Sequence, residues 1–420
     1  MRISLLMTDL LVNGGAQRQL LLLGHRLQML GQEVRIYANR YSPEDCYPEL
    51  TTALEIRAVR WIPHIQRAAR TNGRHHGLFS GARRHLLESR ELARLIADPG
   101  DILNPHIRGA TRAAVYCKRR TGVPVVWMCD DARNWELPGY RPYYSPPVQW
   151  TFDRVMRRLE VPVVREIDHV VVLSRRVKEI LEGFYGCRSS VIRSGLDPQA
   201  FEARPATRRK IRERHGIPQD AFLLLWLGII EPHRRLEDAL EAMRLVCRQR
   251  SDVRFLLVGS AAFAPEHVER LQRWVARHGL DAAVKFVLQS VPEAEMADYY
   301  SASDALVYLC ENQSWGLGVF EAMACNLPVI VSRACGAEEV LEDRETGMLV
   351  PPRDPLTLCN VVLELAERRD LCQRLAERAR ARVLSEISWE KYARNMLDLF
   401  HRVIDERRLR RAATPREVPA

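Results

Sequence analysis

The residues best suited to chemistry lie in one glycine-containing stretch at residues 313–330. An apolar run precedes this stretch, which contains two glycines, Gly316 and Gly318, and a helix is predicted from about Val319. Glycines between a strand and a helix let the backbone approach a ligand closely. The first N–H groups of such a helix favour phosphate. Glu321, expected in the first helical turn, could accept hydrogen bonds from ribose hydroxyls, so the stretch predicts a nucleotide site.

Two further pairs of candidates follow predicted strands, where ligands bind in open α/β sheets. Gly14 and Gly15 come directly after the first apolar run and open a helix. They predict a site contact or a plain turn, and the full glycine fingerprint of nicotinamide enzymes is missing from the sequence. Arg234 and Arg235 stand at another strand-to-helix turn, where a cation could neutralise a leaving diphosphate. A solvated helix start is the alternative explanation of this arginine pair.

Polar residues also follow strands in the first half of the chain. Asp130 and Asp131 come after the apolar run at residues 123–127 and could hold sugar hydroxyls by hydrogen bonds. Ordinary acidic residues at a strand end explain them equally well. His106 follows another predicted strand and could line the same cleft, although a lone histidine is a weak signal.

The chain alternates short apolar runs with longer amphipathic segments. The predicted strands include residues 3–7, 34–37, 123–127, 169–173, 222–227, 253–258, 284–287, 305–309 and 328–331. Helix-like segments between them include residues 16–30, 176–185, 236–248 and 266–278. This alternation predicts an α/β protein with parallel sheets and helical crossovers.

The length of 420 residues exceeds what one core usually supports, so two domains are expected. A turn signature around Gly195 suggests the boundary. We therefore expect one doubly wound domain over residues 1–197 and a second over residues 198–388. Residues 389–420 are expected to form a helix that packs back on the first domain, followed by a frayed tail.

Charge and composition limit the partners and the compartment. The formal net charge is +10, and the segment from Arg57 to Arg94 holds nine arginines against two glutamates. This segment has two equally good interpretations. It is either a solvated, arginine-rich helix and loop, or a surface that attracts an anionic membrane or an anionic acceptor. Nucleic acid is not expected, because no binding motif accompanies the charge. Ten cysteines without Cys-x-x-Cys spacing predict neither zinc nor disulfides, and they favour a cytoplasmic protein, peripheral at most to the inner face of a membrane.

The motifs resemble those of glycosyltransferase family 4. The matching short motifs are Trp315-Gly316-Leu317, Glu-Ala-Met-Ala-Cys starting at Glu321, and Leu-Pro-Val-Ile-Val-Ser starting at Leu327. The resemblance implies the GT-B fold, in which two doubly wound Rossmann-like domains face a cleft. It also implies a retaining enzyme that moves a hexose from a nucleoside diphosphate sugar to a carbohydrate or lipid-linked acceptor without a cofactor or a metal.

The resemblance assigns roles residue by residue. The residues implied at the reacting sugar are Asp130, Gln313 and Glu321. The residues implied for donor binding are Gly14, Gly15, Arg234, Arg235, Gly316, Leu317, Gly318 and Glu321. The residues implied for acceptor or sugar contacts are His106 and Asp131. Whether the donor carries UDP or GDP, and what the acceptor is, cannot be inferred from these motifs.

Three departures from the family pattern keep other functions open. Gln313 stands where the family has its first acid, Ile229 stands where it usually has an arginine, and Asp130 stands where many members have a histidine. Glutamine forms hydrogen bonds but carries no charge. A nucleotide-sugar-binding protein with impaired catalysis is therefore one alternative. A nucleotide-sugar epimerase on the same fold is another.

Overall fold

The structure is a computed structural model that describes residues 1–11, 14–62, 78–130, 132, 146–261, 264–289, 291–310 and 315–413. The chain forms two compact units. The first comprises Met1–Gly195 together with Trp389–Ala420, and the second comprises Leu196–Ser388. The division falls two residues before the expected boundary after residue 197.

The first unit is built from parallel strands separated by helices. Its strands are β1 (Arg2–Leu10), β2 (Glu33–Tyr41), β3 (Glu55–Trp61), β4 (Ile102–Pro105), β5 (Val126–Cys129), β6 (His169–Val172) and β7 (Ser189–Val191). Its helices before the boundary are α1 (Gly15–Met29), α2 (Pro48–Thr51), α3 (Leu78–Leu95), α4 (Ile107–Thr121), α5 (Pro146–Arg165) and α6 (Arg175–Tyr185).

The strands of the first unit lie side by side in the order β3-β2-β1-β4 and β5-β6-β7. Parallel bridges from Leu103 to Val125 and from His106 to Met128 join the two sets. Every described pairing is parallel, as in a doubly wound sheet. Parallel sheets are covered on both faces, which is why residues along β1 such as Leu5, Leu6 and Met7 are fully buried.

The second unit repeats this plan. Its strands are β8 (Phe222–Leu227), β9 (Val253–Val258), β10 (Val284–Val287), β11 (Ala305–Tyr308), β12 (Val329–Ser332) and β13 (Met348–Val350). Its helices are α7 (Arg208–Arg214), α8 (Leu236–Val246), α9 (Pro265–Arg277), α10 (Glu293–Ala302), α11 (Leu317–Ala324), α12 (Pro355–Glu367) and α13 (Arg369–Glu386), with short 3-10 turns at Pro205–Thr207, Pro232–Arg234 and Gly336–Glu339.

The sheet of the second unit has the strand order β10-β9-β8-β11-β12-β13, again parallel throughout its described pairings. Strand β8 lies centrally, and its residues Phe222, Leu224 and Trp226 belong to the main core of this unit. The strand order reverses between β8 and β11. A crevice forms at such a reversal in doubly wound folds.

The last helix, α14 (Trp389–Ala413), belongs to the first unit although it follows the second in sequence. It packs on α1. Its buried residues recur at helical spacing, with Tyr392, Met396 and Val403 on the covered face. Arg407 also donates a hydrogen bond of 2.9 Å to Asp168, before β6. The helix is thus fixed at both ends to the first unit.

Candidate functional site

In the second unit, two loops meet where the strand order reverses. One follows β8 and carries Arg234 and Arg235, and the other follows β11 and leads to Gly316. Since β8 and β11 are parallel neighbours, both loops leave the carboxyl edge of the sheet. This edge is where ligands bind in open α/β sheets.

Gly316 makes the sharp turn into α11. Its φ is +88°, a left-handed conformation that favours glycine, and a Cβ at this position would lie 2.9 Å from Cys335 Sγ. Because of this turn the helix begins at Leu317, two residues before the expected start at Val319. The expectation that Glu321 lies in the first helical turn is therefore wrong: it is the fifth helical residue and lies in the second turn.

Tyr308, the last residue of β11, connects the candidate cation to the glycine turn. Arg234 Nη1 donates a hydrogen bond of 3.0 Å to Tyr308 Oη. A Cβ on Gly316 or Gly318 would lie 3.3 or 3.4 Å from the Tyr308 ring, so this ring packs directly against the turn. Burial raises the pKa of Tyr308, and the Arg234 charge opposes this shift. The phenol therefore stays protonated at neutral pH beside the cation.

The two neighbouring arginines have different partners. Arg235 adopts a left-handed backbone and forms a two-pronged ion pair with Asp238, at 2.8 and 2.7 Å. The Asp238 carboxylate, in the first turn of α8, compensates the charge of Arg235, which immediately precedes the helix. Arg234 instead has the neutral hydroxyl of Tyr308 as a partner.

Glu321 lies inside the second unit, with only 3% of its surface exposed. Tyr300 in α10 is fully buried and donates a 2.8 Å hydrogen bond to Glu321 Oε2. Burial, aided by the neighbouring carboxylate, raises the pKa of Tyr300 well above its usual value. The phenol therefore remains a donor to Glu321 at any ordinary pH. Tyr300 Oη would also lie 3.5 Å from a Cβ on Gly318, so the same phenol borders the glycine turn.

In the first unit, Gly14, Gly15 and His106 lie where the strand order reverses between β1 and β4. Gly14 caps α1, and its carbonyl accepts a 3.0 Å bond from the Arg18 N–H. Gly15 is the first residue of that helix. His106 caps α4, and its N–H donates a 2.8 Å bond to the Leu6 carbonyl on β1.

His106 is neutral at physiological pH. It is fully buried, and burial lowers its pKa to about 3. Its Nε2 lies 3.0 Å from Asn104 Oδ1, which can only accept, so Nε2 carries the proton and Nδ1 is left as an acceptor. The next residue, Ile107, has a φ of +52°, which is strained for a β-branched side chain. Backbone strain of this kind is often found at functional sites.

Asp130 follows β5, and both of its carboxylate oxygens are shielded from solvent. The charge of Asp130 reaches Tyr392 of α14. Burial raises the pKa of Tyr392, and Asp130 adds to this shift while the hydrogen bond from Gln19 opposes it. Gln19 Nε2 donates that bond to Tyr392 Oη over 2.9 Å. The C-terminal helix thus contributes a buried phenol whose pKa responds to the charge of Asp130.

The structure therefore places the predicted residues at two sheet edges, one in each unit. Arg234, Gly316, Leu317, Gly318 and Glu321 lie together in the second unit, and Gly14, Gly15, His106 and Asp130 follow strands of the first. Gln313 and Asp131 lie outside the described residues.

Two tyrosines that contact these residues were not predicted: Tyr300, which donates to Glu321, and Tyr308, which accepts from Arg234. Tyr392, which contacts Gln19, was not predicted either. Tyr308 lies near the end of the predicted strand 305–309, and this position was the available signal. No helix in the described part is long and apolar enough to cross a bilayer. Among the same residues, no three His, Cys, Asp or Glu side chains are arranged to hold a metal ion.

Comparisons with known proteins agree with this geometry. Residues 13–200 match the family model described as Glycosyltransferase Family 4, and residues 207–382 match the model described as Glycosyl transferases group 1. The chain is 30% identical to the D-inositol 3-phosphate glycosyltransferase of Xylanimonas cellulosilytica over 307 residues, 71% of each chain. It is 31% identical to D-inositol 3-phosphate glycosyltransferase 2 of Catenulispora acidiphila over 262 residues, and the match spans 59% of each chain.

A similar solved structure is that of Anabaena HepE in complex with UDP and glucose. Its TM-score is 0.75 at 17% identity, and the match covers 96% of this chain and all of that one. The two parallel-sheet units and this likeness define a GT-B fold, which confirms the expected fold class. With the family models and the relatives, the conclusion becomes specific: the chain belongs to glycosyltransferase family 4, and it is a transferase.

Proposed function

We propose that the chain is a retaining glycosyltransferase that moves a hexose from a nucleoside diphosphate sugar to an acceptor hydroxyl. The observation that carries this proposal is the contact of Tyr308 with both Arg234 and the Gly316–Gly318 turn. It holds a guanidinium group near the first N–H groups of α11, at the strand reversal of the second unit. Charge grows on the diphosphate as the glycosidic bond breaks, and fixed donors of this kind stabilise it.

The ribose is assigned to Glu321. A buried carboxylate must keep hydrogen-bond partners, and Tyr300 supplies one that also fixes the orientation of the side chain. In the proposed complex the ribose hydroxyls supply further donors. Gly14 and Gly15 are assigned to close backbone approach to the donor from the first unit.

The transferred sugar is assigned to Asp130 and Gln313, and further sugar or acceptor contacts to His106 and Asp131. A neutral His106 can accept a hydrogen bond through Nδ1 but cannot supply a positive charge. No side chain is assigned as general base. The departing phosphate would take the proton from the acceptor hydroxyl on the same face of the sugar, which retains the anomeric configuration.

UDP is the first nucleotide to test, because HepE was solved with UDP and glucose. The names of the relatives suggest an inositol phosphate as one acceptor class. Other carbohydrates and lipid-linked sugars are the remaining classes. A donor screen with UDP- and GDP-sugars therefore precedes any acceptor screen.

Calorimetric titration with UDP and GDP tests the donor site through two adjacent arginines. Arg234→Gln should weaken nucleoside diphosphate binding by roughly tenfold to a hundredfold, because one charge-assisted hydrogen bond contributes about 1.5–3 kcal/mol. Arg235→Gln removes the same charge one residue away, from a side chain already paired with Asp238. A much smaller loss is expected for this control. Equal losses in both variants would remove the specific phosphate role of Arg234.

Stereochemistry needs a separate measurement. The anomeric proton coupling of the product, followed by NMR from the first turnovers, distinguishes retention from inversion. An inverted product would reject the retaining mechanism while leaving donor binding intact. If the protein binds nucleotide sugars but neither hydrolyses them nor transfers the sugar to any acceptor of a wide panel, the alternative suggested by Gln313, a binding protein with impaired catalysis, would be favoured.

We also propose peripheral attachment to an anionic membrane surface through the basic segment from Arg57 to Arg94, of which residues 57–62 and 78–94 are described. Exposed apolar side chains accompany the charge: Trp61 is 60% exposed and Leu87 is 48% exposed. Such side chains enter the interface between lipid headgroups and acyl chains. Trp61→Ala with Leu87→Ala should reduce sedimentation with phosphatidylglycerol vesicles, and unchanged sedimentation would reject this attachment surface.

A further inference from the structure

An open pocket of about 230 Å³ lies between α3 and α4 in the first unit. It is lined by Arg90, Ala93 and Arg94 of α3 and by Tyr116 and Arg120 of α4. Three arginines and one tyrosine thus border a volume that suits a small anion.

The pocket keeps its positive charge. Arg90 and Arg94 are exposed and one helical turn apart, and like charges at this spacing repel one another. Arg120 donates hydrogen bonds to the carbonyls of Ala93 and Ile96, at 3.2 and 2.5 Å, and these neutral acceptors do not cancel its charge. The repulsion would be relieved by a bound anion.

The carboxylates on α3 and just after it are paired with other cations. The pairs are Glu88 with Arg84, Glu91 with Arg60, and Asp98 with Arg2 and Arg35. In the described residues, no ion pair joins an acidic side chain to Arg90, Arg94 or Arg120. The anion that fits this pocket must therefore come from outside the described part of the protein.

The pocket lies away from the candidate site of the same unit. Helices α3 and α4 end before β4 and β5 begin, so their last turns lie at the amino edge of the sheet. His106 and Asp130 follow the same two strands and lie at the carboxyl edge. A ligand in this pocket is thus separate from the residues assigned to the donor and the acceptor.

We propose that this pocket binds a phosphate group, carried either by a free phosphate compound or by a phospholipid headgroup. Arginine matches phosphate because its planar fork donates two parallel hydrogen bonds. Tyr116 also borders this pocket. The proposal does not depend on the transferase reaction. Its lipid arm rests on the proposed membrane attachment, because Arg90 and Arg94 belong to the same basic segment, whereas its free-phosphate arm does not.

The test uses the full chain, with inorganic phosphate as one probe and phosphatidylcholine vesicles with or without phosphatidylglycerol as the other. Arg90→Gln with Arg94→Gln should weaken phosphate or vesicle binding at least about tenfold. The control removes the same charge from two exposed arginines of α5, as Arg158→Gln with Arg165→Gln. All four positions are exposed, so both double variants should keep the thermal stability of the parent chain.

Phosphate binding lost only in the α3 variant would identify a free phosphate compound as the source. Vesicle binding lost only in the α3 variant, without phosphate binding, would identify a lipid headgroup. Equal losses in the two double variants would show diffuse charge attraction and overturn the proposal. Absence of binding to either probe in the parent chain would overturn it as well.

Discussion

The hydrogen bond from Tyr300 to Glu321 allows a quantitative test of the nucleotide site. Tyr300→Phe removes only the hydroxyl that donates to Glu321 Oε2 over 2.8 Å. Both residues are buried, at 0% and 3% exposure, so water cannot easily replace the lost donor. A hydrogen bond to a charged group contributes about 1.5–3 kcal/mol, and we expect the free energy of unfolding to fall by about this amount.

The preceding residue supplies the matched control. Tyr299 is equally buried in α10, and its hydroxyl lies 3.1 Å from His215 Nε2. Burial, with a contribution from Arg214, lowers the pKa of His215, so His215 is neutral at pH 7. Tyr299 also contacts the Arg214 side chain, whose charge is exposed to solvent and paired with Glu295. Tyr299→Phe should therefore cost only about 0.5–1.5 kcal/mol.

Urea unfolding of both variants under identical conditions measures the difference, and UDP calorimetry measures its effect on the site. Tyr300→Phe should also weaken nucleoside diphosphate binding, because the Glu321 carboxylate loses its fixed orientation, while Tyr299→Phe should not. If the two variants are destabilised equally and bind UDP equally well, the hydrogen bond from Tyr300 does not position Glu321 for a ligand, and the assignment of Glu321 to ribose fails.

Three further predictions follow from the described geometry. Gly316→Ala should destabilise the chain by about 1–2 kcal/mol, because the backbone at Gly316 is left-handed. Gly318→Ala should be neutral or stabilising by up to about 1 kcal/mol, because a Cβ there would make only ordinary contacts within α11. Thermal unfolding of the two variants checks these opposite effects. His106 has a pKa of about 3 in the folded chain against 6.5 in the unfolded chain, so the unfolded chain binds the extra proton and stability is lost as pH falls from 6.5 towards 3. His106→Asn should reduce the slope of the unfolding free energy against pH, measured in urea, by up to about 1.4 kcal/mol per pH unit in that window. An unchanged slope would contradict the burial of a neutral ring. Tyr392→Phe leaves the buried Gln19 amide without its acceptor and should cost about 1–3 kcal/mol in thermal unfolding, with no loss expected if the two helices do not pack as described.

Much of the fold could be predicted because buried parallel strands are continuous apolar runs. The predicted ranges 222–227, 253–258 and 284–287 coincide with β8, β9 and β10. Three strands were not predicted: β3 alternates polar and apolar residues at the sheet edge, and β7 and β13 have only three residues each. Pairing with neighbours, which the local sequence does not show, makes these segments strands.

The candidate site was predictable where chemistry follows a strand, and not where it depends on distant packing. Glycines and charges at strand ends indicated Arg234, Gly316 and Glu321. The partner of Glu321 is Tyr300, which comes from the preceding helix α10 and carries no local mark of that role. The start of α11 was misjudged because it is set by the φ of Gly316, which sequence periodicity cannot show.

The position of α14 has a consequence for synthesis on the ribosome. The strands of the first unit emerge early, but the helix that covers α1 is separated from them by the whole of Leu196–Ser388. At about 5–20 residues per second, the nascent chain must wait about 10–40 seconds before that cover is translated. The face of α1 that packs on α14, which includes Gln19, stays uncovered during this interval, and chaperones bind transiently exposed surface of this kind.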